Sequence, residues 1–446
     1  MKNPIQLSDH FTFGRLLRFT LPSIASMIFA SIYGIVDGFF VSNYVGKIPF
    51  AGLNIIMPFI MMLGAVGNMV GLGGSALIGK TLGEGDREKA NSLFSFFTYF
   101  MAAAGAVLGI VGNIFLPQAA QLLGAEGEVL ENAVIYGRIC LCGIMFVSLQ
   151  YTMQGFLITA EKPHVGFLVT VGAGVTNMVL DWLFIAVFNW GIAGAAVATV
   201  MGQCVGAAVP IIMFLNPKNN WNLKLGKAKF DGRSLLKACA NGSSEFLSNI
   251  SMSLVGMLYN AQLLKYAGND GVVAYGVLMY VTMIFIAVFF GFTVGTSPVF
   301  SYNYGAGNAA ELKSLFKKCA VIIASTAAVM FVSAELLAAP LAMIFTSYDA
   351  ELLSITVHAF SIYSAAFLFC GVGIFGSALF TAMNNGLISA LLSFFRTVVL
   401  QVTFVFVLPL LWQIDGIWWS AVFAEGIAAA VSIVFIIAYR KKYKYM

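Results

Sequence analysis

Charge is what this 446-residue chain has least of: Asp, Glu, Lys and Arg make up 10% of it, against about 25% in an ordinary soluble domain. With 60% hydrophobic residues, that deficit excludes a water-soluble core, a disordered chain and a small disulfide scaffold. Histidine is scarce, and His10, His164 and His358 are too scattered to form a metal set. The six cysteines, Cys140, Cys142, Cys204, Cys239, Cys319 and Cys370, include no C-x-x-C pair. They read as reduced, small apolar residues inside helices. Residues 1–18 lack the short apolar core and cleavage site of a removable signal, so the apolar run from Phe19 is expected to insert and stay. No Gly-Lys-Ser/Thr follows Gly83-Glu84-Gly85-Asp86-Arg87, which is therefore a turn between helices and no phosphate loop. The chain also has no nucleophile constellation or His/Asp cluster that would suit a membrane enzyme.

What is present is a series of long apolar runs. About 20 apolar residues cross the roughly 30 Å of hydrocarbon as a helix, and helices satisfy their own amides in lipid. Twelve such runs lie near 16–44, 50–78, 93–116, 130–158, 164–188, 191–215, 236–266, 271–302, 315–345, 351–381, 386–410 and 416–439. The expected fold class is all-α integral membrane, with twelve transmembrane helices in two six-helix bundles. An even count puts both termini on one side. Of the 24 Lys and Arg, 21 sort to that side, among them Lys2, Arg18, Lys80, Arg87, Lys162, the cluster 218–237, Arg396 and Arg440. The positive-inside rule makes that side cytoplasmic. The net charge of +5 is thus a topology signal, and no nucleic acid is expected as a partner.

The halves repeat with an offset of 222. Gly73-Gly74-Ser75 aligns with Gly295-Thr296-Ser297, Gly83 and Gly85 with Gly305 and Gly307, and Trp190, Ile192 and Gly194 with Trp412, Ile414 and Gly416. The expected organisation is an N-terminal lobe, residues 1–215, a cytoplasmic linker, 216–235, and a C-terminal lobe, 236–446. Parallel repeats of this kind usually build transporters that rock one bundle against the other.

Ionisable residues inside spans are costly and default to functional hypotheses. Asp37 lies 18 residues beyond Phe19, roughly 27 Å up the first span, and Asp181 lies 16 beyond Val165, roughly 24 Å up the fifth. Asn177 precedes Asp181 by one helical turn, and Thr199 lies about 10 Å in from the same side on the sixth span. All four share a depth in the outer half of one repeat. Burial disfavours an ionised carboxylate and a second acid nearby disfavours it further, so such a group suits a proton or Na⁺. The alternative is that each Asp is held by structural hydrogen bonds. Their counterparts under the offset are Tyr259 and Thr403, so one repeat alone carries the acids. Arg396 and Glu425 sit mid-span in the other repeat, where a structural ion pair is expected. Glu245 either attracts a cationic substrate or faces a polar cavity. With Gln154 and Met57 it makes up the candidate substrate-cavity set.

Read in order, Leu21-Pro22, Val36-Asp37-Gly38-Phe39-Phe40-Val41, Gly71-Leu72-Gly73-Gly74-Ser75-Ala76, Gln154-Gly155-Phe156, Asn177-Met178-Val179-Leu180-Asp181 and Gly191-Ile192-Ala193-Gly194-Ala195-Ala196 resemble the multidrug and toxic compound extrusion (MATE) family. The resemblance covers nearly the whole chain. It implies a two-lobed antiporter that exports cationic or amphipathic drugs in exchange for H⁺ or Na⁺, with no other cofactor. It also implies an ion site at Asp37, Asn177, Asp181 and Thr199, joined by Tyr136 from the fourth span, in the branch that couples through its N-terminal lobe. A monomer in the plasma membrane, acting on small organic cations and amphiphiles, is expected. The alternative of the same superfamily, a flippase of lipid-linked saccharides, would need several Lys or Arg lining its cavity to hold phosphates. Arg396 is the one deep arginine placed by the spans. If the orientation holds, a green fluorescent protein fused after Met446 fluoresces in intact cells, whereas a periplasmic reporter fused there stays silent.

Overall fold

The computed structural model describes residues 5–218, 220–346 and 349–446, leaving aside the side chains of residues 344 and 345; Lys2 of the charge tally lies outside the described residues. Among the described residues every regular element is helical. The helices are α1 (Phe13–Phe40), α2 (Lys47–Gly83), α3 (Arg87–Leu122), α4 (Gly127–Cys142), α5 (Ile144–Thr159), α6 (Pro163–Asp181), α7 (Gly191–Leu215), α8 (Gly232–Gly305), α9 (Ala309–Thr346), α10 (Ala350–Tyr363), α11 (Phe367–Ala382), α12 (Gly386–Phe394), α13 (Gln401–Val407) and α14 (Pro409–Tyr443).

Ten of these segments are long and apolar enough to cross a membrane singly, and the bent pair α4–α5, turned by 54° at Gly143, makes an eleventh span. The 74 residues of α8 exceed any bilayer, and its helix breaks at Gly268, where φ is 64° and ψ −153°. The two arms of α8 are separate spans, which brings the number to twelve.

The turns recur at the offset read in the sequence. Left-handed φ values occur at Gly46 and Gly268 (114° and 64°), at Gly85 and Gly307 (87° and 66°), and at Gly191 and Gln413 (58° and 51°). Each pair lies 222 residues apart and marks the same junction between helices in each half. Each half has its own apolar clusters. Phe94, Phe97 and Phe156 centre one in the N-terminal half and Ile56, Tyr136 and Leu141 another, while Phe300, Phe375 and Phe380, and Trp418, Phe360 and Leu278, do so in the C-terminal half.

The halves meet through glycines. A Cβ at Gly83 would run into the carbonyl oxygen of Tyr302, and one at Gly305 into that of Lys80. Similarly Gly73 packs on Ala238 and Gly242, and Gly295 on Thr20. Small residues let helix backbones touch, as is common between helices in lipid. These contacts gather at the end of the molecule that carries the α2–α3 and α8–α9 turns.

The same end carries a strap. Residues 5–12 lie across both halves, with Leu7 and Phe11 buried in the cluster around Phe300 and Phe316. The Leu7 N–H donates to Glu161 Oε1 of the α5–α6 turn at 2.7 Å, and the Phe11 N–H donates to Glu311 Oε1 of α9 at 2.9 Å. His10 Nδ1 lies 2.6 Å from Glu311 Oε2, and Lys318 Nζ donates to the Phe11 carbonyl at 2.5 Å. Glu161 also faces Asn222 of the connection between the halves, and burial pushes its carboxyl above the ordinary carboxylate range. Tyr445, next to the last residue, is buried against Phe316 at this end too.

The glycine contacts make a testable demand. Gly83→Ala should cost about 1–3 kcal/mol by overpacking, seen as a lower thermal midpoint in detergent. Gly172→Ala, where a Cβ meets nothing within 4 Å, should leave the midpoint unchanged or raise it.

Candidate functional site: a buried acid cluster in the N-terminal half

Four helices converge on the site. α1 brings Asp37, α6 brings Asn177 and Asp181 one turn apart, α7 brings Thr199 and α4 brings Tyr136. Close packing is again made by small residues. Gly202 lets α7 approach the Asn177 Cβ, which a Cβ there would meet at 3.0 Å, and Gly174 receives Phe29 and Tyr33 of α1. Beyond each acid the helix widens: Trp182–Val187 directly after Asp181, and Val41–Val45 one turn after Asp37, form π-helical turns that pack on each other. Such turns break the regular ladder and are frequent at functional sites.

Burial is nearly complete, with Asp37 8%, Asn177 3%, Asp181 0% and Tyr136 0% exposed. The Asp37 and Asp181 carboxyls lie close enough to act on each other, and Tyr136 lies near both Thr199 and Asp37. Two ionised carboxylates repel at that range; a shared proton, or a small cation between them, removes the repulsion.

Most of the polar side-chain atoms of these residues are buried without a protein partner. Twelve buried side-chain atoms among the described residues make no hydrogen bond, and seven belong to this set: Asp37 Oδ1, Tyr136 Oη, Asn177 Oδ1 and Nδ2, Asp181 Oδ1 and Oδ2, and Thr199 Oγ1. Buried polar groups are nearly always paired, so a local concentration of exceptions calls for an unseen ion, proton or water. Carboxylate, carboxamide and hydroxyl oxygens are hard donors suited to Na⁺ or H⁺. The structural-hydrogen-bond reading of Asp181 finds no bond to carry it.

Two neighbours escaped the sequence reading. Tyr33, one turn before Asp37, and Cys140, one turn after Tyr136, both lie close to Asp37. Spacing of four from a recognised site residue was the available signal.

The other candidates are dispersed. Arg396 Nε donates to Glu425 Oε2 at 2.8 Å inside the C-terminal half, so Arg396 has to be removed from the loop charges of the orientation tally. Glu245, half-buried on the first arm of α8, lies in electrostatic range of Arg396. Gln154 lines a crevice of about 10 Å³ with Gln150, Thr170 and Gly206, room for about one water. Met57 packs into the apolar cluster around Ile56 and Tyr136. Glu245, Gln154 and Met57 thus stand on α8, α5 and α2.

The sequence model of the MatE family matches the chain twice, over residues 22–183 and 246–407. The chain belongs to the MatE family. The two matches fall one in each half, and the acids Asp37 and Asp181 both lie within the first. The multidrug export protein MepA of Staphylococcus saprophyticus is 24% identical over 430 residues, covering 96% of this chain and 94% of its own. A solved MATE protein in complex with MaL6 superposes with a TM-score of 0.93 at 23% identity, and an outward-facing multidrug resistance MATE transporter of the MOP superfamily with 0.92 at 24%, each over 100% of both chains. These matches establish a MATE fold for this MatE chain, a multi-pass membrane protein.

A ligand at a hundred times its Kd stabilises a protein by about 2.7 kcal/mol. Adding Na⁺, or lowering pH, should therefore raise the thermal midpoint of the purified protein, and Asp181→Asn should remove most of that rise. An equal rise in both proteins would separate the cluster from ion binding.

Proposed function

We propose that this protein is a cation-coupled antiporter that exports cationic or amphipathic organic compounds across the plasma membrane by alternating access, with H⁺ or Na⁺ as the exchanged ion. The observation that carries the reading is the concentration of unpartnered buried oxygens at Asp37, Tyr136, Asn177, Asp181 and Thr199. The name of the staphylococcal relatives, multidrug export protein, supports the substrate class. The basic loops support a cytoplasmic location for both termini and for the linker 216–235, which joins lobes 1–215 and 236–446.

The mechanism follows from electrostatics. Without an ion, the paired acids repel and hold α1 away from α6. A proton or Na⁺ arriving from outside neutralises them, and α1 closes on α6 while its neighbouring surface expels the drug. Opening to the cytoplasm then releases the ion. The half-buried acid Glu245 adds negative potential that favours cationic cargo. Exchange of one monovalent drug for one ion moves no net charge, so the membrane potential does no work on it. Two ions per drug would add about 2.3 kcal/mol per 100 mV, and the two carboxylates suit that stoichiometry. The flippase alternative finds no support: the deep arginine is already engaged by Glu425.

Asp37→Asn should abolish ion-driven efflux of a cationic dye from vesicles with imposed pH or Na⁺ gradients, with membrane abundance unchanged. Efflux at the normal rate would refute the assignment.

A further inference from the structure

In the C-terminal half, Tyr259 stands 222 residues after Asp37, and Thr403 stands 222 after Asp181. Near this position Tyr259, Gln401, Glu425 and Arg396 form a connected chain. The Tyr259 hydroxyl donates to Gln401 Oε1 at 2.9 Å, Gln401 Nε2 donates to Glu425 Oε1 at 3.4 Å, and Arg396 Nε donates to Glu425 Oε2 at 2.8 Å. Tyr275 stacks on Tyr259 with ring centroids 5.3 Å apart. Tyr363 and Cys370 also face the Arg396–Glu425 pair, and Glu245 approaches Arg396 from α8. The two charged side chains are 12% and 10% exposed.

The contrast with the N-terminal half is one of satisfaction. No side-chain atom of Tyr259, Gln401, Glu425 or Arg396 is among the unpartnered buried atoms, whereas all five residues of the acid cluster contribute to them. Both regions adjoin a π-helical turn, Trp182–Val187 after Asp181 and Phe395–Leu400 around Arg396. Arg396 precedes Thr403 by seven residues, and Glu425 follows Ala421, the counterpart of Thr199, by four. The pair thus sits one to two turns from the counterpart of the ion site, and Gln401 bridges the gap to Tyr259.

We propose that Arg396 is a tethered cation, whose guanidinium does for the acids of the C-terminal half what a mobile ion does for Asp37 and Asp181, so that one half alone exchanges an ion. The inference builds on the ion-coupling reading of the N-terminal acids. A guanidinium is permanently charged and presents a rigid fork to carboxylates, so it holds Glu425 in both states of the cycle. An ion drawn from solution can leave, and a side chain cannot. Removing the guanidinium should turn Glu425 and Glu245 into a second cation site.

The test reads the thermal midpoint of purified full-length protein against Na⁺, replaced by choline at constant ionic strength, and in a separate arm against pH. Arg396→Met should gain a stabilisation by Na⁺ or by protons larger than that of the wild type, and adding Glu425→Gln should cancel the gain. The increment should persist in Arg396→Met/Asp37→Asn. A response of Arg396→Met no larger than that of the wild type overturns the proposal, as does a gain that survives Glu425→Gln. Since the readout is an increment, a wild type that responds to neither ion would sink the N-terminal reading while leaving this one decidable. Should Arg396→Met not accumulate, Arg396→Met/Glu245→Gln, with a single acid left, takes its place: a midpoint more cation-dependent than that of Glu245→Gln supports the proposal, and one no more so overturns it.

Discussion

Two carboxyl groups facing each other inside an apolar helix bundle, with no protein donor to hold them, set the terms for the rest of this molecule. Taking an ionised carboxylate out of water is expensive, and the cost is bearable only with a counter-charge or a proton. The protein gives the buried oxygens Asp37 Oδ1, Asp181 Oδ1 and Asp181 Oδ2 no hydrogen-bond partner, and in the proposed mechanism a small exchangeable cation takes that place. Every nearby feature follows from keeping them close. Glycines at 174 and 202 bring three helices together, and widened turns after each acid interrupt the regular ladder beside them.

The two halves share one chain path and differ in how they settle charge. Turns recur at 46 and 268, 85 and 307, and 191 and 413, so the backbone plan is duplicated. The chemistry is not. The N-terminal half leaves its acids open, whereas the C-terminal half closes a chain from Tyr259 through Gln401 and Glu425 to Arg396. Duplicated scaffolds with unequal sites permit one half to respond to an ion while the other provides a steady frame.

Much of this was legible in the residues because lipid enforces simple rules. The twelve spans followed from apolar length, and the five ion-site candidates from depth, from four-residue spacing and from the family likeness. Span ends were less legible: α8 runs unbroken through the junction except at Gly268, and helices such as α2 and α3 extend past the hydrocarbon because polar residues continue a helix as readily as apolar ones. Arg396 was counted with loop charges because a lone arginine carries no mark of depth until its partner 29 residues on is seen against it. The strap was invisible for a related reason. Leu7 and Phe11 are unremarkable in sequence, and what fixes them are carboxylates 154 and 300 residues away.

That strap places a clock on the cycle. Because residues 5–12 are fastened to Glu161 on one half and Glu311 on the other, the glycine-lined end cannot part while both fastenings hold. Opening there, as the proposed cycle requires, would release Leu7 from Glu161 or Phe11 from Glu311. Under the proposed alternating access, the time the strap spends detached, read from deuterium exchange of its amides, sets an upper limit on the time that end spends open.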